Sequence, residues 1–358
     1  MNRAAWKSRR VFVTGHTGFK GSWLSLWLQD AGAHVTGYAL EPPTTPSLFD
    51  LAGVAAGMTS IHGDVRDLAR LHNAIVEARP DVVIHMAAQS VVRASYDDPV
   101  ETYSTNVMGT VNVLEAVRRA GRTCAVVNVT SDKCYENREQ SRGYREEDRL
   151  GGHDPYSNSK ACSELVTTAY RDSFFHPRTG EAPAIAVASV RAGNVVGGGD
   201  WTRDQLIPDT VRAFAAGRAV ELRNPTAVRP WQFVLEPLRG YLAVAERLLT
   251  ETAGAGHAWN FGPDDADCRP VRWVVETFAS AWSNAPGWRQ APGEHPHETT
   301  LLKLDSAQAH TALGWTPRLP LSEALAWTAE WYRAVAAGAD ARMKTLEQIR
   351  RYEELPQP

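Results

Sequence analysis

The chain has 358 residues, of which 43% are hydrophobic and 22% are charged, as in ordinary globular proteins with more than one domain. Lys and Arg number 38 against 41 acidic residues, a net charge of −3, which argues against binding to nucleic acid or an anionic membrane. No apolar run approaches the ~18 residues of a membrane span or forms a secretory signal. Four scattered cysteines without a CxxC pair indicate reduced thiols in a cytoplasmic protein.

The first half of the sequence alternates short apolar runs with segments of helical periodicity. Strands are predicted for RRVFVTG, HVTGY, TSIHGD, PDVVIHMAA and CAVVNVTS, which are rich in β-branched residues. A helix is predicted from about Gly21, with Leu24, Trp27 and Leu28 on one face. Near-continuous apolar strands that alternate with helices predict a parallel sheet covered on both faces. We therefore expect an α/β protein with a doubly wound Rossmann domain.

The composition changes in the second half, where prolines become frequent and nine of the twelve tryptophans follow residue 200. We expect residues 1–190 to form the dinucleotide-binding domain, with return segments near 234–262. Residues 191–350 are expected to form mainly a smaller mixed α/β substrate domain.

The segment 286–300 is predicted to be an exposed loop, and the tail from Leu321 to be helical. His295, His297 and Glu298 lie in this loop. A proline-rich loop gives these side chains no rigid scaffold, so no metal site is expected.

A glycine-rich segment joins the first predicted strand to the first helix. The segment GHTGFKG begins at Gly15, which permits a tight turn at that position. Gly18 lets the backbone approach a pyrophosphate, and Gly21 lets the helix pack closely on the sheet. The helix N-terminus offers its N–H groups to the phosphates. The segment predicts dinucleotide binding.

The choice between NAD and NADP depends on the end of the second predicted strand. Glu41 stands about 20 residues past the glycine loop, where a ribose-binding carboxylate is expected, although it could equally be a solvated turn residue. No arginine stands there to hold a 2′-phosphate. Asp64, after the third strand, is a candidate for the adenine edge. These features favour NAD.

A second motif follows the fifth predicted strand. Tyr156 and Lys160 are four residues apart, so on a helix they share one face. An ammonium beside a phenol lowers the pKa of the phenol and lets it act as a base. Ser131 ends the preceding strand and is expected to hydrogen-bond the sugar hydroxyl that Tyr156 deprotonates. Alone, YxxxK could be an accidental surface pair.

Together, the glycine loop, Ser131 and YxxxK resemble the extended short-chain dehydrogenase/reductase family, which acts on nucleotide sugars. Longer segments are similar to its CDP-glucose 4,6-dehydratases, namely GHTGFKGSWLSLWL, HMAAQSVVRASY, TSDKCYEN, DPYSNSKACSELV, RAGNVVGGGDW and RPWQFVLEPLRGYL. The resemblance implies an NAD-dependent hydro-lyase of deoxysugar biosynthesis, such as that of lipopolysaccharide O-antigen.

The implied reaction begins when Tyr156 takes the proton of the sugar 4-hydroxyl while hydride passes from C4 to NAD. The 4-ketone acidifies the C5 hydrogen, water leaves across C5 and C6, and hydride returns to C6. The resemblance implies these cofactor contacts: Gly15, Thr17, Gly18, Phe19, Gly21, Asp64, Val65, Ala87, Ala88, Gln89, Asn106, Tyr156 and Lys160.

Elimination needs an acid and a base, and Asp132 and Lys133 follow Ser131 directly. Related dTDP-glucose dehydratases have Asp-Glu here, so Asp132 corresponds to the acid and Lys133 replaces the carboxylate base. An ordinary lysine is a poor base at neutral pH. Whether Lys133 removes the C5 proton or stabilises the enolate therefore stays open. A charge pair at a strand end is the simpler alternative.

The nucleotide sugar is expected beyond the carboxyl ends of the parallel strands. Arginine matches phosphate oxygens bidentately, and a tryptophan can pack on a base, although it is more often a core residue. The candidate substrate contacts are Gln89, Arg93, Asn194, Trp201, Arg229, Trp231 and Asn260. Phe233 stands where a histidine is expected, which predicts altered base or ribose contacts.

Three other functions share parts of this pattern. A nucleotide-sugar 4-epimerase needs no acid–base pair for elimination, so Asp132 and Lys133 argue against it. A cofactor-sensing protein with a dead dehydrogenase fold should lack the YxxxK tyrosine or lysine, and an NADP-dependent hydride-transfer enzyme would consume added cofactor. The resemblance also implies a homodimer built on helices near 106–120 and 156–173, although these faces could be buried within one chain.

Overall fold

The computed structural model describes residues 1–175, 185–250, 257–293 and 300–356. The strands are β1 (Arg10–Thr14), β2 (His34–Ala39), β3 (Thr59–His62), β4 (Val82–His85), β5 (Cys124–Val129), β6 (Ile185–Ala192), β7 (Val195–Val196), β8 (Val220–Leu222), β9 (Val228–Pro230), β10 (Gln232–Phe233), β11 (Ala258–Phe261), β12 (Cys268–Pro270) and β13 (Trp288–Gln290).

The α-helices are α1 (Arg3–Trp6), α2 (Phe19–Asp30), α3 (Leu48–Leu51), α4 (Leu68–Ala78), α5 (Val92–Asp97), α6 (Pro99–Tyr103), α7 (Gly109–Ala120), α8 (Pro155–Phe174), α9 (Leu206–Ala215), α10 (Leu235–Thr250), α11 (Val271–Ser280), α12 (Ala307–Leu313), α13 (Leu321–Ala336) and α14 (Ala341–Glu353). A π-helical turn, Ser104–Met108, joins α6 to α7. No helix in the described part of the chain is both long and apolar enough to span a membrane.

Seven of the described strands form one parallel sheet in the order β3-β2-β1-β4-β5-β6-β11. β4 and β5 are buried at every position, because elements pack on both faces of the sheet. The strand order reverses between β1 and β4, and a crevice therefore opens at their carboxyl ends. The doubly wound Rossmann α/β fold predicted from the sequence is confirmed.

A buried polar network fixes the carboxyl ends of the two central strands. The Thr14 hydroxyl accepts hydrogen bonds from the N–H groups of Met86 and Ala87, and its Oγ1 lies 2.7 Å from Nδ1 of His85. Because the hydroxyl already accepts twice, its own proton goes to His85, which is neutral. Burial lowers the pKa of His85 to about 3. The network sets the direction of the loop after β4.

Within the range 234–262, β11 pairs in parallel with β6 of the main sheet. The second half also forms small sheets, β7 with β10, β8 with β13, and β9 with β12. Two predictions need correction. Helix α2 begins at Phe19 rather than Gly21, and Trp288–Gln290 forms β13 inside the predicted loop. The tail is helical from Leu321, as predicted.

Candidate active site

The glycine loop turns tightly between β1 and α2. Gly15 has a φ of 77°, and a Cβ there would lie 2.7 Å from the backbone nitrogen of Ala87. A Cβ on Gly21 would lie 2.1 Å from the Gly15 carbonyl oxygen. Gly18 is the N-cap of α2. A Cβ added to Gly18 would lie 3.4 Å from the Gly15 carbonyl oxygen, an ordinary contact distance. The loop thus presents bare backbone and a helix N-terminus toward the crevice, which is what a pyrophosphate requires.

Other predicted cofactor contacts surround this loop. The Thr17 hydroxyl donates to the Leu40 carbonyl at 2.9 Å, and Phe19 lies against Gly197. Across the crevice, the Asn106 amide accepts from the Gln89 N–H and donates to the Gln89 carbonyl, both at 2.9 Å. Asn106 therefore fixes the backbone that follows β4.

The residues predicted to contact adenine lie beyond β2 and β3. Arg66 hydrogen-bonds the Asp64 carboxylate and holds the pKa of this group below its usual value. Val65 is buried and packs against Gly109. Glu41 is 78% exposed in its side chain and lies 3.7 Å from His62, so its ribose contact stays a prediction. Ala87 and Ala88 are half-buried beside the glycine loop.

The predicted catalytic side chains come together where β5 ends. Ser131 caps the short helix that begins at Asp132, and its hydroxyl donates to Oδ1 of Asp132 at 3.1 Å. On α8, the Tyr156 side chain is buried, and Ser131 is among the groups that act on the pKa of its phenol. The Lys160 ammonium donates to the Val129 carbonyl at 3.1 Å, so α8 is fixed directly to the catalytic strand.

Burial shifts the pKa values of these groups. It raises the pKa of Tyr156, an effect that Ser131 opposes. It lowers the pKa of Lys160 to about 8, with a further contribution from Lys20. Burial also raises the pKa of Asp132, against the opposing charge of Lys133. A carboxyl with a raised pKa can hold a proton and act as a general acid.

Behind the catalytic strand lies a buried ion pair. Glu164 on α8 contacts Arg191 on β6 at 2.9 Å, and both side chains are almost completely buried. Glu164 also accepts hydrogen bonds from the hydroxyls of Thr130 and Ser189. The pair therefore joins α8, which carries Tyr156, to two strands of the sheet.

Two buried polar side chains that interact electrostatically with Asp132 were not noted in the sequence. Lys20, inside the glycine loop, lies with Nζ 5.9 Å from the ring centroid of Tyr241. Burial lowers the pKa of Lys20 to about 8, while Asp132 and Asp200 oppose this shift. A lysine inside a glycine loop was a usable signal for Lys20. Tyr241 lies in an apolar helix, α10, and carried no such signal.

A cleft of about 1130 Å³ opens beside the catalytic groups. Its walls include Lys133 and four predicted substrate contacts, Arg93, Asn194, Arg229 and Trp231. Further arginines line the same cleft: Arg138, Arg212, Arg218, Arg223 and Arg289. The volume is that of a site for a ligand of nucleotide-sugar size, and guanidinium groups suit its phosphates.

Some of the lining side chains are held by neighbouring residues. Arg93 forms an ion pair with Asp204 at 3.2 Å. The Trp231 indole is buried and donates to the Arg269 carbonyl at 3.1 Å. The cleft wall around Trp231 is therefore largely preformed.

Asn260 and Trp201 do not lie where a substrate contact would. Asn260 is completely buried, and its amide donates to the carbonyls of Tyr144 and Asp305 at 2.8 and 3.1 Å and accepts from the Tyr135 hydroxyl at 2.7 Å. The carbonyl oxygen and the NH2 group of its side chain are therefore both hydrogen-bonded within the core, which makes Asn260 a structural residue. Trp201 packs edge-on against another aromatic ring, 5.2 Å away, and is not among the cleft-lining residues.

The Gln89 and Phe233 predictions also need correction. The Gln89 side chain donates to Thr102 and accepts from the Val91 N–H within its own loop, and it does not line the cleft. Its backbone, held by an asparagine, remains beside the cofactor crevice. Phe233 is completely buried and packs edge-on against Trp23 and Trp327, so it contacts neither base nor ribose.

Two further candidate features were His295, His297 and Glu298 in the predicted loop, and Cys134 beside the strand end. The described residues contain no group of three His, Cys, Asp or Glu side chains that could hold a metal ion. His295, His297 and Glu298 lie outside the described residues. Cys134 is completely buried, and burial raises the pKa of its thiol, which makes it a poor nucleophile.

The family model described as GDP-mannose 4,6 dehydratase matches residues 12–263, a range that holds the glycine loop, the Ser131 cluster and most of the cleft. The chain belongs to this dehydratase family. The resemblance to the extended short-chain dehydrogenase/reductases is thereby confirmed.

Three similar proteins show the range of this family. A CDP-glucose 4,6-dehydratase of Salmonella typhimurium is 53% identical over 97% of both chains. A UDP-glucose 4-epimerase of Mycolicibacterium smegmatis is 27% identical over 90% of this chain and 98% of its own. Among solved structures, MoeE5 in complex with UDP-glucose and NAD has a TM-score of 0.76 and 26% identity, over 91% of this chain and 99% of its own.

Proposed function

We propose that the protein is an NAD-dependent hydro-lyase that converts CDP-glucose into CDP-4-keto-6-deoxyglucose. The observation that carries this proposal is that Asp132 and Lys133 directly follow Ser131 after the end of β5, with Lys133 on the wall of one large cleft. An acid next to the oxidation groups serves elimination, which an epimerase does not perform. The similarity to the Salmonella CDP-glucose dehydratase over nearly the whole chain supports the same function.

The glycine loop fits NAD, because Gly15 and Gly21 stand where a Cβ would overlap backbone atoms and the α2 N-terminus is bare. When bound, NAD supplies the acceptor for the C4 hydride and returns that hydride to C6. We assign the pyrophosphate to Gly18 and the N-terminus of α2, and the adenosine half to the region of Asp64 and Val65.

The proposed chemistry divides among four side chains. Tyr156 removes the proton of the 4-hydroxyl, which Ser131 orients by a hydrogen bond. Lys160 favours the phenolate of Tyr156 by its charge. We assign to Asp132 the role of the acid that delivers a proton to the hydroxyl leaving C6, and burial raises the pKa of this carboxyl in the direction that the role needs. We assign Lys133 to the step at C5, either as the base that removes the proton or as the group that stabilises the enolate.

We assign the nucleotide diphosphate to the arginine-rich wall of the cleft. Arg229 and Asn194 are the predicted diphosphate or ribose contacts there, while Arg93 and Trp231 face the same volume. Residues 1–190 and the return through β11 hold the cofactor, whereas residues 191–350 contribute mainly to the substrate. The product would enter deoxysugar biosynthesis of the kind that supplies lipopolysaccharide O-antigen, in the cytoplasm.

We further propose that the protein is a homodimer. The segments predicted to form the interface expose Met108 at the end of the π-helical turn and Leu165 on α8, and the neighbouring α6 exposes Val100 and Tyr103. A cluster of exposed apolar residues of this kind is typical of a surface that another chain covers.

The test of the function is incubation of the purified protein with CDP-glucose, and in parallel with dTDP-, UDP- and GDP-sugars, without added reductant. Turnover of CDP-glucose with loss of one water and no net NADH would support the proposal. The Tyr156→Phe variant is the matched control and should lose turnover. An epimer of unchanged mass would instead overturn the elimination roles of Asp132 and Lys133.

A further inference from the structure

A single carboxylate bridges two arginines on the wall of the cleft. Arg93 on α5 and Arg223, which follows β8, both donate to Oδ1 of Asp204, at 3.2 and 3.3 Å. Asp204 lies in the loop between β7 and α9, and all three residues line the cleft. The bridge therefore joins a helix from the first half of the chain to a loop from the second half, inside the volume assigned to the substrate.

The backbone holds Asp204 in a conformation that few residues adopt. Its φ is 61°, in the left-handed region, which aspartate and asparagine tolerate better than other residues with a Cβ. The loop before it is fixed by Arg212, whose guanidinium donates to the carbonyls of Trp201 and Thr202 at 2.9 and 3.2 Å. The fold thus keeps this carboxylate in the cleft beside the two arginines.

Two other carboxylates of the cleft make more local pairs. Asp209 pairs with Arg212, three residues further along the same helix. Glu221 on β8 pairs with Arg289 on β13, its partner in the same two-stranded sheet. Each of these pairs belongs to one wall, whereas Asp204 takes arginines from two separate parts of the chain.

The bridge occupies donors that suit an anionic ligand. Two guanidinium groups that converge on one oxygen are the arrangement that binds a phosphate oxygen. The side chains of Arg93 and Asp204 are 48% and 39% exposed, and ion pairs at such exposure are weak, so a phosphate can displace the carboxylate. The displaced carboxylate still repels the ligand, and this repulsion grows with the charge of the ligand.

We propose that Asp204 is a specificity-determining residue, which makes the cleft favour a nucleotide sugar over free nucleotides with a terminal phosphate. The inference rests on the proposed nucleotide-sugar function. CDP-glucose carries about two negative charges, CDP about three and CTP about four, because a terminal phosphate loses a second proton near neutral pH. The carboxylate therefore repels each free nucleotide more strongly than it repels the substrate.

The test is calorimetric titration of the NAD-loaded Tyr156→Phe protein, which should not turn over, with CDP-glucose, CDP and CTP. The same titrations are repeated after Asp204→Asn, at low ionic strength and without divalent cations. Asparagine suits the left-handed backbone and keeps an oxygen that accepts from the arginines, so the variant removes the charge alone.

The variant should bind all three ligands more tightly, by roughly twofold to fivefold for each unit of ligand charge. The gain for CTP should therefore exceed the gain for CDP-glucose roughly fourfold to twentyfold, with CDP between them. Added salt should reduce this difference.

Glu330→Gln is the matched control. Glu330 on α13 also pairs with two cations, Lys344 and Arg351, and is 41% exposed, but it does not line the cleft. This variant should leave the three dissociation constants unchanged. Asp204→Gly, which also suits a positive φ, is the second variant if the first does not fold.

A carboxylate that only positions the arginines would give the opposite result. Its loss would weaken the binding of all three ligands, which overturns the proposal, as would equal tightening of all three or no change. Turnover by the wild type tests the proposed function separately. A wild type that binds CDP-glucose without converting it would disprove the dehydratase, while the ratios of the dissociation constants would still decide the role of Asp204. Binding of none of the three ligands would overturn both.

Discussion

Glu164 and Arg191 form their ion pair directly behind the strand that carries Ser131. Burial alone would raise the pKa of Glu164, but the Arg191 charge and the hydrogen bonds it accepts hold the pKa below its usual value. A buried pair of this kind adds little net stability, yet removing one partner leaves an uncompensated charge. The pair thus makes the position of α8, and with it Tyr156, depend on one carboxylate.

We expect Glu164→Gln to destabilise the protein by about 3–5 kcal/mol, because Arg191 would keep its charge in a buried site. The free energy of unfolding in urea measures the effect. Glu221→Gln is the matched control, since Glu221 pairs with Arg289 at an exposed site and should change stability by less than about 0.5 kcal/mol. Equal effects of the two variants would contradict this account.

The sequence predicted the positions of Ser131, Asp132 and Tyr156 better than those of several candidate substrate contacts. Ser131, Asp132 and Tyr156 could be placed because strand ends and helix spacing alone bring them to one edge of the sheet. Asn260 also follows the end of a strand, but its amide is saturated by residues 45 to 125 positions away along the chain. Such long-range hydrogen bonds leave no local signal.

At the scale of elements, the turn between β1 and α2 depends on the glycines for different reasons. A Cβ on Gly21 would overlap backbone atoms, whereas one on Gly18 would have ordinary contacts. Gly21 is therefore required by the fold of the loop. Gly18 is required only if a ligand approaches its backbone.

Gly21→Ala should therefore lower both the unfolding midpoint and the affinity for NAD. Gly18→Ala should keep the unfolding midpoint and weaken NAD binding alone, on the order of tenfold. Thermal unfolding and calorimetric titration with NAD separate the two properties. Strong NAD binding by the Gly18 variant would show that no phosphate approaches this residue.

Helix and strand types were more predictable than their limits. The α2 helix begins at Phe19 because Gly18 is its N-cap, whereas the glycine pattern suggested a start at Gly21. Strand β13 could not be predicted from the sequence, because it has only three residues and forms by pairing with β8. The paired residues Trp288 and Val220 lie 68 positions apart along the chain. Short strands of this kind depend on tertiary contacts rather than on propensity.

At the scale of the whole molecule, the exposed apolar cluster on α6, the π-helical turn and α8 should mediate dimerisation. Met108→Glu should shift the protein to monomers, because a carboxylate would be buried at the interface. Sedimentation velocity checks the mass. Met343→Glu, at a similarly exposed position on α14, is the control and should leave the dimer intact. A monomeric wild type would disprove the proposal.

The neutral histidines make stability depend on pH. The pKa of His85 is lowered from 6.5 to about 3, and that of His16 from 6.5 to about 4, in both cases by burial. Below pH 6.5 the unfolded chain binds protons that the folded chain does not. The free energy of unfolding should fall by up to about 1.4 kcal/mol per pH unit for each histidine.

Urea unfolding between neutral pH and about pH 4 measures this dependence. His85→Gln should reduce the slope, while His34→Gln, at the exposed start of β2, should keep it. An unchanged slope in the His85 variant would mean that other groups cause the acid sensitivity.

The position of β11 has a consequence for synthesis on the ribosome. This strand covers the free edge of β6, but it ends at Phe261, long after β6 ends at Ala192. A nascent chain that has emerged only as far as Thr250 holds β1 to β6 and an uncovered edge, which is a template for pairing with other chains. Translation that pauses between the ends of β6 and β11 should therefore yield aggregates. Once β11 (Ala258–Phe261) has emerged, it pairs with β6 and covers the edge.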